Sequence, residues 1–131
     1  MERTEERTKK YTITTVFGVI GIASWLLTLL LRERPWNGME IMQFILGVMP
    51  NISACWVLLW FGENRVMKRE KKFTFKVATT LSVVIFLLAV ASEVVHEAFL
   101  NSPFDKIDII ATMLAGVVYL TSMFVFTRLQ K

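Results

Sequence analysis

Residues 11–31 have the sequence YTITTVFGVIGIASWLLTLLL, a run of 21 residues without a charge that lies between Lys10 and Arg32. A run of this length can cross the roughly 30 Å hydrocarbon core of a bilayer as an α-helix. Further apolar segments cover residues 41–62, 73–100 and 105–127. The sequence therefore predicts an all-α fold, an integral membrane four-helix bundle, in which residues 1–131 form a single transmembrane domain.

The composition excludes several classes of protein. Hydrophobic residues make up 54% of the chain, and the 20% that are charged are concentrated in short patches between the apolar segments. This pattern does not fit a disordered chain or an ordinary soluble enzyme. A single cysteine, Cys55, excludes an intramolecular disulfide and a cysteine-based zinc site. Because no nucleophile elbow, phosphate loop or paired-cysteine motif is present, the sequence favours a non-enzymatic protein.

The distribution of lysine and arginine predicts the orientation, because cytoplasmic loops of membrane proteins carry an excess of these residues. Twelve lie in the two tails and around the second connection, whereas three (Arg32, Arg34 and Lys106) lie on the other side. We therefore expect both termini in the cytoplasm of a bacterial cell, with the protein in its cytoplasmic (inner) membrane. The expected partners are the bilayer, anionic lipid at the basic face and, in a homo-oligomer, a second copy of the chain. Nucleic acid is not expected, because residues 63–72 offer no aromatic platform.

Small residues along the predicted helices indicate where the helices pack, since helices in lipid associate through close backbone approach. Thr14, Gly18, Gly21 and Thr28 share one face of the first helix. Further candidate seams are Ala111, Thr112, Ala115 and Gly116 in the fourth helix, and Ser82, Ala89 and Ser92 in the third.

Pro50 and Asn51 lie near the middle of the second helix. A proline there frees a backbone carbonyl, and we expect Asn51 either to satisfy this carbonyl or to hydrogen-bond to a neighbouring helix. Cys55 is expected to be a small buried residue.

Two segments, 35–42 (PWNGMEIM) and 103–110 (PFDKIDII), have a similar pattern of proline, aromatic, Asn or Asp, acid and isoleucine. One interpretation is that the bundle consists of two pseudo-symmetric helical hairpins. The other is that the same local rules build both helix starts.

The outward side carries the candidate site residues. Glu93, His96 and Glu97 are spaced i, i+3 and i+4 and share one helix face. Asp105 and Asp108 open the fourth helix, where Ser102 is expected as the N-cap, Pro103 as the first helical residue and Asp105 as the capping-box acid. The similarity between segments 35–42 and 103–110 adds Glu40 and Asn37 to the candidate ligand-binding residues.

Three interpretations of these acids stay open. They form a hydrated rim that pairs in part with Arg32 and Arg34, or an acidic ligand pocket between the two outward loops. The third possibility is a bound metal or a catalytic pair, for which Glu-x-x-His at Glu93 and His96 is the only motif. The sequence names no catalytic residue and no cofactor.

The C-terminal segment resembles the signature of VanZ-like membrane proteins, small helical bundles named after a protein linked to teicoplanin resistance. In that family an acid on the penultimate helix precedes an aromatic-Asp-x-x-Asp step and a glycine in the last helix. The matching positions here are Glu93, Phe104, Asp105, Asp108 and Gly116. The resemblance implies a non-enzymatic envelope protein, and we expect its outward acidic pocket to bind a cationic or lipid-linked ligand.

Other function classes fit the short length and the absence of a soluble domain in this sequence. One is an oligomerising, membrane-perturbing effector, such as a toxin or defence protein, that depolarises the cell. Another is a small transporter, for which Glu93 is the expected membrane-embedded acid. A lipid-modifying enzyme is the least favoured class, because no nucleophile or metal set is evident.

Overall fold

The structure, a computed structural model, describes residues 12–35 and 38–131. It contains four helices, α1 (Ile13–Arg32), α2 (Glu40–Lys68), α3 (Phe75–Leu100) and α4 (Lys106–Leu129). All four are long and apolar enough to cross a membrane. The predicted four-helix membrane bundle is therefore confirmed, and Trp36 and Asn37 lie outside the described residues.

Local side-chain hydrogen bonds begin three of the helices. Thr12 caps α1 by accepting from the Thr15 N–H, and Thr74 caps α3 by accepting from the Val77 N–H. Asp105 is itself the N-cap of α4. The expectation that Ser102 is the cap and Pro103 the first helical residue is therefore wrong. The Asp105 carboxylate satisfies the free N–H groups of Ile107 and Asp108 at the start of α4, which is the role expected of Ser102, three residues earlier in the chain.

Helix α2 extends six residues beyond its predicted end at residue 62 and finishes at Lys68. Its final turns are polar, and Arg65 and Lys68 lie where positive charge is favourable at a helix C-terminus. Apolar length marks the part of a helix in lipid but not where the hydrogen-bonded helix ends. Glu63, which the sequence pattern assigns to the second connection, consequently lies inside α2 and is buried.

The small-residue seam of α1 is confirmed, since its buried residues are Thr14, Gly18, Gly21 and Thr28. A Cβ atom on Gly18 would lie 2.5 Å from side-chain atoms of Trp60, and one on Gly21 would lie 3.0 Å from the Ser53 carbonyl oxygen. Helix α1 therefore packs on α2 at a distance that only glycine permits at these points.

The seam of α4 is also confirmed, because its buried residues include Ala111, Thr112, Ala115 and Gly116. In α3 the expectation holds for Ser82 alone, since Ala89 is half-buried and Ser92 is exposed. Helix α3 contacts α2 and α4, and within the described residues it does not contact α1. It is the least enclosed helix of the bundle, which explains why its small residues are less buried.

The core lies where α2, α3 and α4 meet, and α1 packs against it through Phe17. Tyr119 and Leu59 are fully buried there, together with Cys55, Ala115 and Met123. The Phe17 ring packs edge-on against both Trp56 and Tyr119, with centroid separations of 5.0 Å and 5.5 Å. The expectation that Cys55 is a small buried residue is confirmed.

The two ends of the bundle differ in composition. At the acidic end, defined by residues 33–39 and 101–105, the chain connects α1 to α2 and α3 to α4. At the basic end, residues 69–74 connect α2 to α3, and α4 finishes. The α1–α2 and α3–α4 hairpins differ in the hydrogen bonds near their turns. Arg32 of α1 bonds to Leu46, six residues into α2, whereas Glu93 of α3 bonds to Asp105, just before α4. The pseudo-symmetric arrangement stays a prediction.

Substitution of Gly18 by alanine tests the close packing of α1 on α2. We expect Gly18→Ala to destabilise the protein by about 1–3 kcal/mol, because the added methyl overpacks against the Trp60 ring system. Gly47→Ala is the matched control, since a Cβ there meets nothing within 4 Å. Thermal unfolding in detergent, followed by circular dichroism, measures the difference. Equal melting temperatures for the two variants would contradict this packing.

Candidate functional site

Three of the predicted acids come together at the acidic end of the bundle. We call Glu93, Asp105, Asp108 and the adjoining Asn51 the acidic cluster. Glu93 Oε2 accepts a hydrogen bond from the Asp105 backbone N–H at 3.2 Å, which ties the end of α3 to the start of α4. Asp105 Oδ1 in turn accepts from the N–H groups of Ile107, at 2.9 Å, and Asp108, at 3.4 Å.

Asp108 is the member of the cluster that links it to α2. Its carboxyl group is half-buried and forms a side-chain hydrogen bond with Asn51. The expectation that Asn51 bonds to a neighbouring helix is confirmed, and the alternative, that it satisfies the carbonyl freed by Pro50, is not. The Asn51–Asp108 bond places the middle of α2 beside the first turn of α4.

The electrostatic surroundings of Asp108 are negative. Asp105 and Glu93 lie close enough to act on it through their charges, and the side-chain hydrogen bond from Asn51 opposes their effect. Like charges in a partly desolvated position repel one another. A bound cation would relieve this repulsion, so the arrangement is suited to bind positive charge.

The other predicted site residues lie outside the cluster. His96 and Glu97 are exposed on the last turns of α3, about 4–6 Å further along the helix axis than Glu93. Glu40 is exposed in the first turn of α2, about 16 Å along the axis from Asn51. Asn37 lies outside the described residues. The sequence pattern did not place Asn51 beside these acids, because its proximity to Asp108 depends on the register between α2 and α4.

The interpretation as a metal site finds no geometric support in the described residues. No group of three or more histidine, cysteine, aspartate or glutamate side chains in residues 12–35 and 38–131 is arranged to hold a metal ion. His96 is part of the α3 C-terminus instead, where its carbonyl accepts from the N–H groups of Asn101 and Ser102. Asn101 has φ 53°, a left-handed conformation that asparagine tolerates at helix ends.

Arg32, expected as a partial partner of the acids, has a different role. Its guanidinium donates to the Leu46 carbonyl oxygen at 2.8 Å. Leu46 is the residue four positions before Pro50, so its carbonyl is the one left free by the missing proline N–H. A free carbonyl in a lipid environment costs several kcal/mol. Arg32 therefore compensates for the proline from the neighbouring helix.

Glu63 is the polar residue that the sequence interpretation placed wrongly. It is 2% exposed. Its Oε1 accepts a 2.6 Å hydrogen bond from the Thr12 hydroxyl, which also accepts from the Thr15 N–H at the start of α1. The carboxyl group therefore lies against the N-terminal end of α1, where negative charge is favourable. Its Oε2 atom is buried and has no hydrogen-bond partner in the described part of the chain.

Comparisons with known proteins yield no relative. No family model matches the chain, and no curated protein or solved structure matches it either. The acidic cluster and Glu63 are consequently interpreted from their own geometry.

Variants of Glu63 test its contact with Thr12. Glu63→Gln keeps an acceptor oxygen for the Thr12 hydroxyl, and we expect it to stay within about 1 kcal/mol of the wild type. Glu63→Ala removes the bond and leaves a cavity, so we expect a loss of about 2–4 kcal/mol. Thermal unfolding in detergent is the measurement, with Glu70→Ala at an exposed position as the control. If Glu63→Gln is as unstable as Glu63→Ala, the negative charge and not the hydrogen bond is what Glu63 contributes.

Proposed function

We propose that this protein is a non-enzymatic, multi-pass envelope protein of the VanZ-like type, whose outward-facing acidic cluster binds a cationic or lipid-linked ligand. The observation that carries the proposal is the convergence of Glu93, Asp105 and Asp108 around Asn51. These carboxylates come from two helices and their connection. Their common electrostatic effect is to attract positive charge to one point at the acidic end.

The convergence also supports the resemblance on which the family assignment rests. Glu93, Asp105 and Asp108 are the acids of the VanZ-like pattern, and they are separated by up to 15 residues in the sequence but interact in the fold. Gly116, the glycine of the same pattern, is buried on α4 and faces Ser82 of α3, since a Cβ on Gly116 would lie 4.0 Å from the Ser82 Cβ atom. The pattern therefore combines a polar cluster with a close contact between the last two helices.

An organic cation is a better candidate ligand than a bare metal ion. The described residues contain no group of metal-ligating side chains of the required number. A primary ammonium group has three N–H donors, so hydrogen bonds to a few carboxylate oxygens can hold it. A lipid-linked molecule with an amino group would present that charge at the edge of the hydrocarbon region, where the cluster lies.

The proposed orientation places both termini in the cytoplasm and the acidic end outside, in the cytoplasmic membrane of a bacterium. The charge distribution supports it, with the lysine and arginine excess around the basic end and the tails. The same excess would attract anionic lipid to the cytoplasmic face.

A small transporter is the second candidate, and Glu63 is the observation that favours it. Coupled transport uses acids inside the membrane region, and the sequence pattern offers only Glu93 for this role. Glu63 is more deeply buried than Glu93, and one of its carboxylate oxygens has no hydrogen-bond partner among the described residues.

Cysteine labelling in intact cells tests the orientation. We expect Ser102→Cys at the acidic end to react with a membrane-impermeant maleimide, and Glu70→Cys at the basic end to react only after the cells are permeabilised. Native Cys55 is buried, so the wild-type protein provides the unlabelled control. Labelling of Glu70→Cys in intact cells would show the opposite orientation, with the acidic cluster in the cytoplasm.

Thermal stability in the presence of dodecylamine tests the acidic cluster, with dodecanol as the uncharged probe of equal chain length. We expect dodecylamine, but not dodecanol, to raise the melting temperature of the wild type by several degrees, because it neutralises the cluster. Glu93→Gln and Asp108→Asn should abolish this response. Glu97→Gln is the matched control, because it removes the same charge from the exposed face of α3 one turn away. Equal responses of all three variants would show that the acids are a hydrated rim.

A further inference from the structure

Two cavities lie one after the other along the same face of α2, separate from the acidic cluster, and we call them together the α1–α2 groove. Its upper part, about 300 Å³, is lined by Arg32, Arg34, Gln43, Leu46 and Gly47. Its lower part, about 430 Å³, is lined by Ile22, Trp25, Pro50, Ser53, Ala54 and Val57. Both volumes are in or near the range of small-molecule sites.

The groove follows one face of α2. Gln43, Gly47, Pro50, Ala54 and Val57 are spaced four, three, four and three residues apart, which keeps them in line along the helix. From Gln43 to Val57 the groove extends about 21 Å along the helix axis. Half of the hydrocarbon core of a bilayer is about 15 Å thick. The groove therefore covers the depth of one membrane leaflet.

The upper and lower parts of the groove differ in chemistry. Two arginines line the upper part, at the end of α1 where its apolar run finishes. Arg32 uses one N–H for the Leu46 carbonyl, and a guanidinium has five N–H donors, so donors remain for another acceptor. Apart from Ser53, the lower part is lined by apolar side chains and Pro50.

Ser53 provides an independent sign of a ligand. It is 1% exposed, it belongs to the lining of the lower groove, and its Oγ has no hydrogen-bond partner in the described part of the chain. A buried hydroxyl without a partner lowers the stability of a fold, because it has given up its hydrogen bonds to water. Other serines in the bundle, such as Ser82 and Ser122, donate to the carbonyl four residues earlier, but Ser53 does not. Its hydroxyl proton is therefore not used by any acceptor in the described part of the chain.

Gly47 lines the upper part of the groove, on the side where the lower part begins at Pro50. A Cβ on Gly47 would meet no atom within 4 Å, so no packing requirement explains a glycine here, in contrast to Gly18. The next groove residue, Pro50, lies about one turn further along α2. A larger side chain at position 47 would reduce the space between the arginines and the apolar part.

We propose that the α1–α2 groove binds one membrane phospholipid from the leaflet at the acidic end. Arg32 and Arg34 bind the phosphate, one acyl chain lies along Gly47, Pro50, Ala54 and Trp25, and Ser53 donates to an ester carbonyl. Arginine is suited to the phosphate because its planar donors match the phosphate oxygens. The groove is basic at the membrane surface and apolar below. It therefore matches an anionic lipid, which has a negative headgroup and apolar chains.

Native mass spectrometry of the full-length protein in nonionic detergent tests this site, with phosphatidylglycerol as the probe. We expect a saturable adduct of one lipid per protein. Diacylglycerol with the same chains lacks the phosphate, and inorganic phosphate lacks the chains, so each should bind at least tenfold more weakly. If either binds as tightly as phosphatidylglycerol, the proposed combination of head and chain sites is wrong.

Two variants and their controls locate the site. Arg34→Gln should weaken phosphatidylglycerol binding at least fivefold, whereas Lys106→Gln, which removes the same charge at the same end, should change it less than twofold. Ala54→Phe should also weaken binding at least fivefold by filling the groove, and Val84→Phe, at a lipid-exposed position of α3, should not. Arg34 and Ala54 are exposed, so folding should persist, and circular dichroism verifies this. Equal losses in a variant and its control would overturn the proposal.

The role of Ser53 is tested by replacing the ester bonds of the lipid with ether bonds. Ether-linked phosphatidylglycerol lacks the ester carbonyls, and we expect it to bind the wild type several-fold more weakly than the ester-linked lipid. Ser53→Ala should remove this difference, because it removes the donor. A preference for the ester that persists in Ser53→Ala would exclude Ser53 from the site.

Discussion

The close approach of α1 to α2 at Gly18 and Gly21 sets the register on which the rest of the structure depends. Because a Cβ at Gly18 would overlap Trp60, the two helix backbones meet at a separation that only glycine permits. The same register brings Thr12 to Glu63 at one end of the pair and Arg32 to the Leu46 carbonyl at the other. Both contacts satisfy polar groups that would otherwise be costly in a membrane.

Most serine and threonine hydroxyls of the bundle donate to a carbonyl four residues earlier in their own helix, but a few polar side chains pair between helices. Thr14 and Tyr119 share a 2.6 Å hydrogen bond between α1 and α4, and the Trp56 indole donates to the Ala115 carbonyl of α4 at 3.1 Å. These bonds join α1, α2 and α4 into one packed unit. The exceptions among the described residues are one oxygen of Glu63 and the hydroxyl of Ser53. Unsatisfied groups of this kind are rare in proteins and are therefore informative about ligands.

The two proposed binding regions use the same end of the bundle in opposite ways. The acidic cluster, between α2, α3 and α4, presents carboxylates to a cation. The groove between α1 and α2 presents two arginines to an anion. Their separation follows from the packing, because Arg32 is held by the carbonyl that Pro50 leaves free. A ligand with an amino group could occupy the cluster while a phospholipid fills the groove.

The sequence by itself determined the membrane class, the four helices and most packing faces, because hydrophobic length and small-residue spacing are local properties of a helix. It also identified Glu93, Asp105 and Asp108 as candidates. Only the tertiary structure decided that Asn51 reaches Asp108, that Arg32 compensates for Pro50 and that Glu63 is buried inside α2. These contacts depend on the registers between helices far apart in sequence, which arise from the packing of whole faces and not from any local pattern.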